Sequence, residues 1–178
     1  MKILYSWGHK KEIRPLIKAE IKQWIDAGYN ITAINHREEL GIEKAWPPDQ
    51  LEALYQNKDK RLLSFYNKII DLAETHDVLI VNYENLYHPE FLRSLKDIYT
   101  VYVSGDDPES SDLCSKPHVY AYDHSFAWGI NFDKDTKITK RFLEWGAKRA
   151  NWWPYGVRED MYDPSLTEYD IYNKDKKI

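Results

Sequence analysis

Two pairs of neighbouring polar residues are best suited to do chemistry. Asp106-Asp107 lies in VYVSGDDPESSD, between a run of β-formers and Pro108, and Asp123-His124 follows the run HVYAY. Paired carboxylates orient sugar hydroxyls or abstract a proton, and like-charge proximity raises the pKa of one of them. Pro108 restricts Asp107 to extended geometry, and Gly105 lets the chain turn before the pair. A turn rich in Asp, Pro and Ser has the same composition for conformational reasons alone, so both readings stay open here. In Asp123-His124 a carboxylate beside an imidazole can supply a general base, although a plain surface histidine fits equally. Asp and His also suit a divalent metal. No second ligand set at helical or hairpin spacing accompanies them, so no metal is expected. Asn151-Trp152-Trp153-Pro154-Tyr155 adds a ring cluster that either stacks on a sugar face or is buried against a neighbouring element.

Alternating strand and helix signals must position these groups. KILYS (2–6) is a strand, apolar residues recur at helical spacing from Ile13 to Ile25 with Gly28 as the stop, and YNITAIN (29–35) is a second strand. Helices follow from Pro48-Asp49 and over 62–73, and 77–81 is a strand buried on both faces. His88-Pro89-Glu90 opens a short helix, and 98–103 is a strand that delivers Asp106 and Asp107. A strand over 118–122, a helix over 135–145 stopped by Gly146, and a strand over 149–153 complete the order. The expectation is an α/β fold, a three-layer α/β/α sandwich on a mainly parallel Rossmann-like sheet. Residues 1–160 would form this domain, and 161–178 would be a linker opening a further domain.

In open parallel sheets ligands bind beyond the carboxyl ends of the strands. That rule selects Gly8, His9, Asn82, Asp106 and Asp123 as substrate-binding candidates, with Asp107 and His124 as catalytic ones. Gly8 would let a ligand approach the backbone, or simply permit a tight strand-to-helix turn. The loop SWGHKKE lacks G-x-G-x-x-G, and G-x-x-x-x-G-K-[ST] is absent, which disfavours a dinucleotide or P-loop site.

The 178 residues suffice for one hydrophobic core. A net charge of −4 with no basic patch gives no pull on a nucleic-acid backbone, so no nucleic-acid partner is expected. One cysteine, Cys114, excludes an intrachain disulfide and a thiolate zinc site, and no apolar run is long enough to span a membrane. A reducing, cytoplasmic location is the expectation. With 14 Tyr and 7 Trp against 5 Phe, the chain carries many rings with polar handles, as a half-wet cleft or a tyrosine-rich core would.

The segments VYVSGDDPESS, VYAYDHSFAWGI and ITKRFLEWGAKRANWWPYGVRED, in this order, resemble the N-terminal domain of GT-B glycosyltransferases. The likeness is nearest to the group related to the CgeB spore-maturation protein. It rests on Asp107-Pro108, Asp123-His124, Gly146 to Arg149, Pro154 to Val157, and Glu168 to Ile171. The resemblance implies transfer of a sugar from a nucleotide-sugar donor to an acceptor hydroxyl, without a tightly bound cofactor or metal. Acceptor contacts and the base would come from this domain. A C-terminal GT-B domain, in cis or on a partner chain, would hold the donor, and this chain alone is expected to be inactive. Two alternatives are a non-catalytic α/β binding module and a small stand-alone enzyme. For the latter, Ser104, Ser110, Ser111 and Ser125 are available, but none sits in a G-x-S-x-G elbow.

Overall fold

The computed structural model describes residues 1–8, 15–82, 86–105, 111–128 and 138–153. Strand β1 (Lys2–Trp7) leads to α1 (Pro15–Asp26), and β2 (Asn30–Asn35) follows. Helices α2 (His36–Leu40), α3 (Pro48–Gln56) and α4 (Lys60–Ala73) then connect to β3 (Val78–Asn82). Next come α5 (Pro89–Ser94), β4 (Tyr99–Ser104), α6 (Ser111–Cys114), a 3₁₀ turn (Val119–Ala121), β5 (His124–Trp128), α7 (Ile138–Glu144) and β6 (Ala150–Trp153). The strands form one parallel sheet in the order β2-β1-β3-β4-β5-β6. Helices cover both faces, so the expected α/β/α sandwich is the fold.

Local chemistry sets the boundaries. Asp59 caps α4 by accepting from the backbone of Arg61 and Leu62, and Asn35 does the same for α2 through Arg37 and Glu38. Pro48 and Pro89 begin α3 and α5, where their missing N–H costs nothing. Gly28 (φ 88°) and Gly146 (φ 91°) follow α1 and α7 in the left-handed region, as the helix stops read from sequence require.

Strand alternation divides the core. Ile3, Tyr5, Trp7, Ile80, Val101 and Val103 pack toward Ile17 and Trp24 of α1. On the other face Leu4, Ile34, Leu79, Val81 and Tyr102 meet α4 and α5. The tyrosines belong largely to this interior: Tyr5, Tyr87, Tyr102 and Tyr122 are fully buried. The Tyr66 ring lies parallel to Phe91 with centroids 3.8 Å apart. Trp153 stacks on Trp24 at 6.1 Å, whereas Trp152 is exposed.

One expected strand is not there. Residues 118–122 form a turn and the 3₁₀ segment, with the amides of His118 and Val119 bonded to the Ser115 carbonyl. The strand instead spans His124–Trp128 and faces α7 with Ser125 and Ala127. Small residues let that helix pack close, so the segment lacks the β-branched run that would mark it in sequence.

A candidate functional site at the β1–β3 switch point

The strand order reverses between β1 and β3. The chain leaves β1 over one face to build β2, then crosses back over the other face to build β3. At such a point the two connections diverge and a crevice opens at the carboxyl edge. Trp7, the last residue of β1, is paired in register with Asn82 of β3 on one side and Asn35 of β2 on the other.

Trp7 and Asn82 are both buried, at 4% and 2% exposure, and both carry an unsatisfied polar atom. Among the described residues Trp7 Nε1 has no hydrogen-bond partner, and neither has Asn82 Oδ1. The orientation of the Asn82 amide follows from a chain of bonds. Tyr5 Oη has one proton and donates it to Glu20 Oε2 at 2.9 Å. It must therefore accept from Asn82, which turns Nδ2 toward Tyr5 and leaves Oδ1 uncommitted. The edge thus offers an N–H donor and a carbonyl acceptor on neighbouring strands, which run ~4.8 Å apart. A hydroxyl both donates and accepts, so it is the ligand group that matches such a donor and acceptor.

Burial pushes the Glu20 carboxyl above its ordinary value, and the bond from Tyr5 opposes this only in part. Folded Glu20 therefore holds its proton more tightly than unfolded Glu20. The stability it contributes is complete below the unfolded pKa and is lost as pH rises through the folded one. Glu20→Gln keeps the acceptor for Tyr5 and removes the charge. We expect it to gain stability over the parent as pH rises through that window, then hold a constant advantage. Urea unfolding at a series of pH values measures this, and parallel profiles for the two proteins would contradict it.

On the other face, Tyr87 Oη donates to Ser6 Oγ at 2.7 Å, and Ser6 Oγ lies 3.0 Å from His36 Nδ1. All three residues are fully buried, and burial first, then the nearby Arg37 charge, lowers the His36 pKa to about 3. This neutral Ser–His pair braces the root of α2 against β1.

The candidates read from sequence separate into three groups. Gly8 and Asn82 lie at the carboxyl edge, and both are buried. His9, Asp106 and Asp107 lie outside the described residues. Asp123 and His124 stand elsewhere: they open β5 rather than close a strand, because 118–122 is not one. They sit at the amino edge, with Asp123 bonded to Thr100 near the start of β4. From Thr100 to Ser104 the strand rises ~13 Å, so Asp123 and Ser104 stand at opposite ends of β4.

Asp123 acts as a clasp. It accepts from the Thr100 amide (2.9 Å), the Thr100 hydroxyl (3.0 Å) and Lys148 Nζ (2.7 Å). Burial pushes its pKa up, but these bonds together outweigh burial and hold it below the ordinary value. His124 Nε2 donates to Asn151 Oδ1 at 2.8 Å, and its ring stacks on Phe126.

Sequence reasoning passed over Trp7, Tyr5 and Glu20. Glu20 carried a usable signal, because it shares the helical stripe of Ile17, Ile21 and Trp24, where a carboxylate faces the core. Among the described residues no group of three or more His, Cys, Asp or Glu is placed to hold a metal ion, and no helix is long and apolar enough to cross a membrane. No family model matches the chain, and no curated protein matches it.

Proposed function

We propose that this chain is the acceptor-side, Rossmann-like half of a GT-B glycosyltransferase, and that the β1–β3 crevice receives a hydroxyl of the sugar or glycan acceptor. The observation that carries this reading is the buried, unsatisfied pair Trp7 Nε1–H and Asn82 Oδ1 at the switch point. Each such atom costs about 1–3 kcal/mol while it lacks a partner, a cost that is offset when a ligand supplies one. The sequence resemblance supplies the reaction class.

In this reading a nucleotide-sugar donor is held by a second domain or a partner chain. With one acceptor hydroxyl anchored by Trp7 and Asn82, an adjacent acceptor hydroxyl gives its proton to Asp107. Its oxygen attacks the anomeric carbon, and the nucleoside diphosphate leaves with the electron pair of the broken glycosidic bond. Asp106 orients a neighbouring hydroxyl. His124, at the opposite edge, is not the base in this reading.

Titration with a panel of methyl glycosides, followed through the indole N–H resonances, tests the binding step. Trp7→Phe assigns the Trp7 signal. A saturable downfield shift of that signal is expected with at least one glycoside. A Trp7 resonance unmoved by every glycoside, in a protein that is folded, would remove the crevice from consideration.

A further inference from the structure

A second concave site lies on elements other than the strands of the switch point. It is a cleft of about 260 Å³ between the start of α3, helix α5 and the turn before the 3₁₀ segment. Pro48, Pro89 and Pro117 line it, so three of its wall positions have a fixed φ and little conformational freedom to lose on binding.

Its acidic groups are already engaged. Glu52 accepts from His88 Nε2 at 2.7 Å and from Gln56 Nε2 at 2.8 Å. Glu90 is hydrogen-bonded by the Tyr55 hydroxyl. His88 is fixed as well: its Nδ1 accepts from the Glu90 amide, so the proton it donates to Glu52 is on Nε2.

Two lining groups keep unused hydrogen-bonding capacity. Arg93 lies over the Tyr120 ring, 4.8 Å from its centroid, and makes no hydrogen bond or ion pair among the described residues. His118 is 5% exposed, and among the described residues its Nε2 has no partner. The tautomer of His118 can be deduced. A ring N–H is hydrogen-bonded to the Cys114 carbonyl, which only accepts. Since Nε2 has no partner, that N–H is Nδ1. Burial lowers the pKa to about 3, so the ring is neutral at ordinary pH and Nε2 carries a bare lone pair.

We propose that this cleft binds a small hydroxycarboxylate, with the carboxylate on the Arg93 guanidinium and the hydroxyl donating to His118 Nε2. A planar guanidinium pairs with a carboxylate through two parallel N–H bonds, the geometry an ammonium cannot supply. A hydroxyl is the matching group for a buried lone pair. The volume is slightly below the ~300 Å³ at which small-molecule sites usually begin, so the ligand has only a few carbons.

Three probes separate the two contacts: glycerate carries both groups, propionate lacks the hydroxyl, and glycerol lacks the carboxylate. Each is titrated into the full chain while the ¹⁵N resonances of the His118 ring are followed. Glycerate is expected to move the Nε2 resonance saturably, with propionate and glycerol each binding at least about tenfold more weakly. Arg93 is exposed, and Arg93→Gln should keep the fold yet lose glycerate binding by a similar factor. The proposal is overturned by an Nε2 resonance that glycerate does not move, by equal binding of the three probes, or by an Arg93→Gln protein that binds glycerate as the parent does.

Discussion

Replacing Phe91 by alanine is expected to cost about 3–5 kcal/mol of folding stability, the largest single effect forecast for this protein. Phe91 is buried, and its ring lies flat against Tyr66 with an interplanar angle of 8°. Tyr87 stacks beyond, at 6.2 Å from Phe91 and 6.3 Å from Tyr66. Alanine therefore removes apolar area and ring contacts together, and leaves a cavity under α5. The loss extends to polar groups, because Tyr66 Oη donates to the Leu86 carbonyl (3.1 Å) and accepts from the His88 amide (2.6 Å). A Tyr66 ring free to move weakens both bonds to the segment entering α5. Since a domain holds only about 5–15 kcal/mol in total, the variant should unfold at a much lower urea concentration. Phe91→Leu, which keeps most of the volume, should recover more than half of the loss. A cost below about 1 kcal/mol for Phe91→Ala would show that the stack is not part of the stabilising core.

Asn82→Leu should leave stability nearly unchanged while lowering glycoside affinity by tenfold or more, about 1.4 kcal/mol. The side chain is buried at the end of a central strand, and leucine is close to asparagine in size and needs no hydrogen-bond partner. Leucine gives up the bond from Nδ2 to Tyr5, but Tyr5 still donates to Glu20, so no charged group is left without its partner. It also removes the unsatisfied Oδ1, and with it a standing cost. Trp7→Phe removes the donor of the same pair. If one hydroxyl bridges both atoms, the double variant should bind no more weakly than the worse single variant, because the two losses share one ligand group. Strictly additive losses would mean that Trp7 and Asn82 meet different parts of the ligand, and unchanged affinity in Asn82→Leu would detach the residue from binding altogether.

Most of the architecture is legible in the residues. Buried parallel strands such as Val78–Asn82 lack alternation, amphipathic helices show their stripes, and Gly28, Gly146, Pro48 and Pro89 mark boundaries by the conformations they permit. The failure at 118–122 has a definite cause. HVYAY has strand composition, but Pro117 and the Ser115 carbonyl turn it into a 3₁₀ segment, while HSFAW buries small residues on one face and lacks a β-branched run. That one displacement moved Asp123 and His124 from the carboxyl edge to the amino edge. The site was legible in part. Asn82 follows from strand-end placement alone. Trp7 could not be distinguished from ordinary core, because what sets it apart is a missing hydrogen-bond partner, which depends on neighbours distant in the chain.

The position of β1 in the middle of the sheet has a consequence for how the chain is made. Strand β1 leaves the ribosome before both of its partners, β2 and β3, and the Lys2 amide finally bonds to Asp77. Synthesis proceeds at ~5–20 residues per second, so several seconds separate the end of β2 from the end of β3. Throughout that interval β1 presents an open, apolar edge of Ile3, Leu4 and Tyr5, the kind of edge that recruits strands from other chains. Nascent chains halted before Val78 should therefore associate with one another or with holding chaperones, and chains released beyond Asn82 should not.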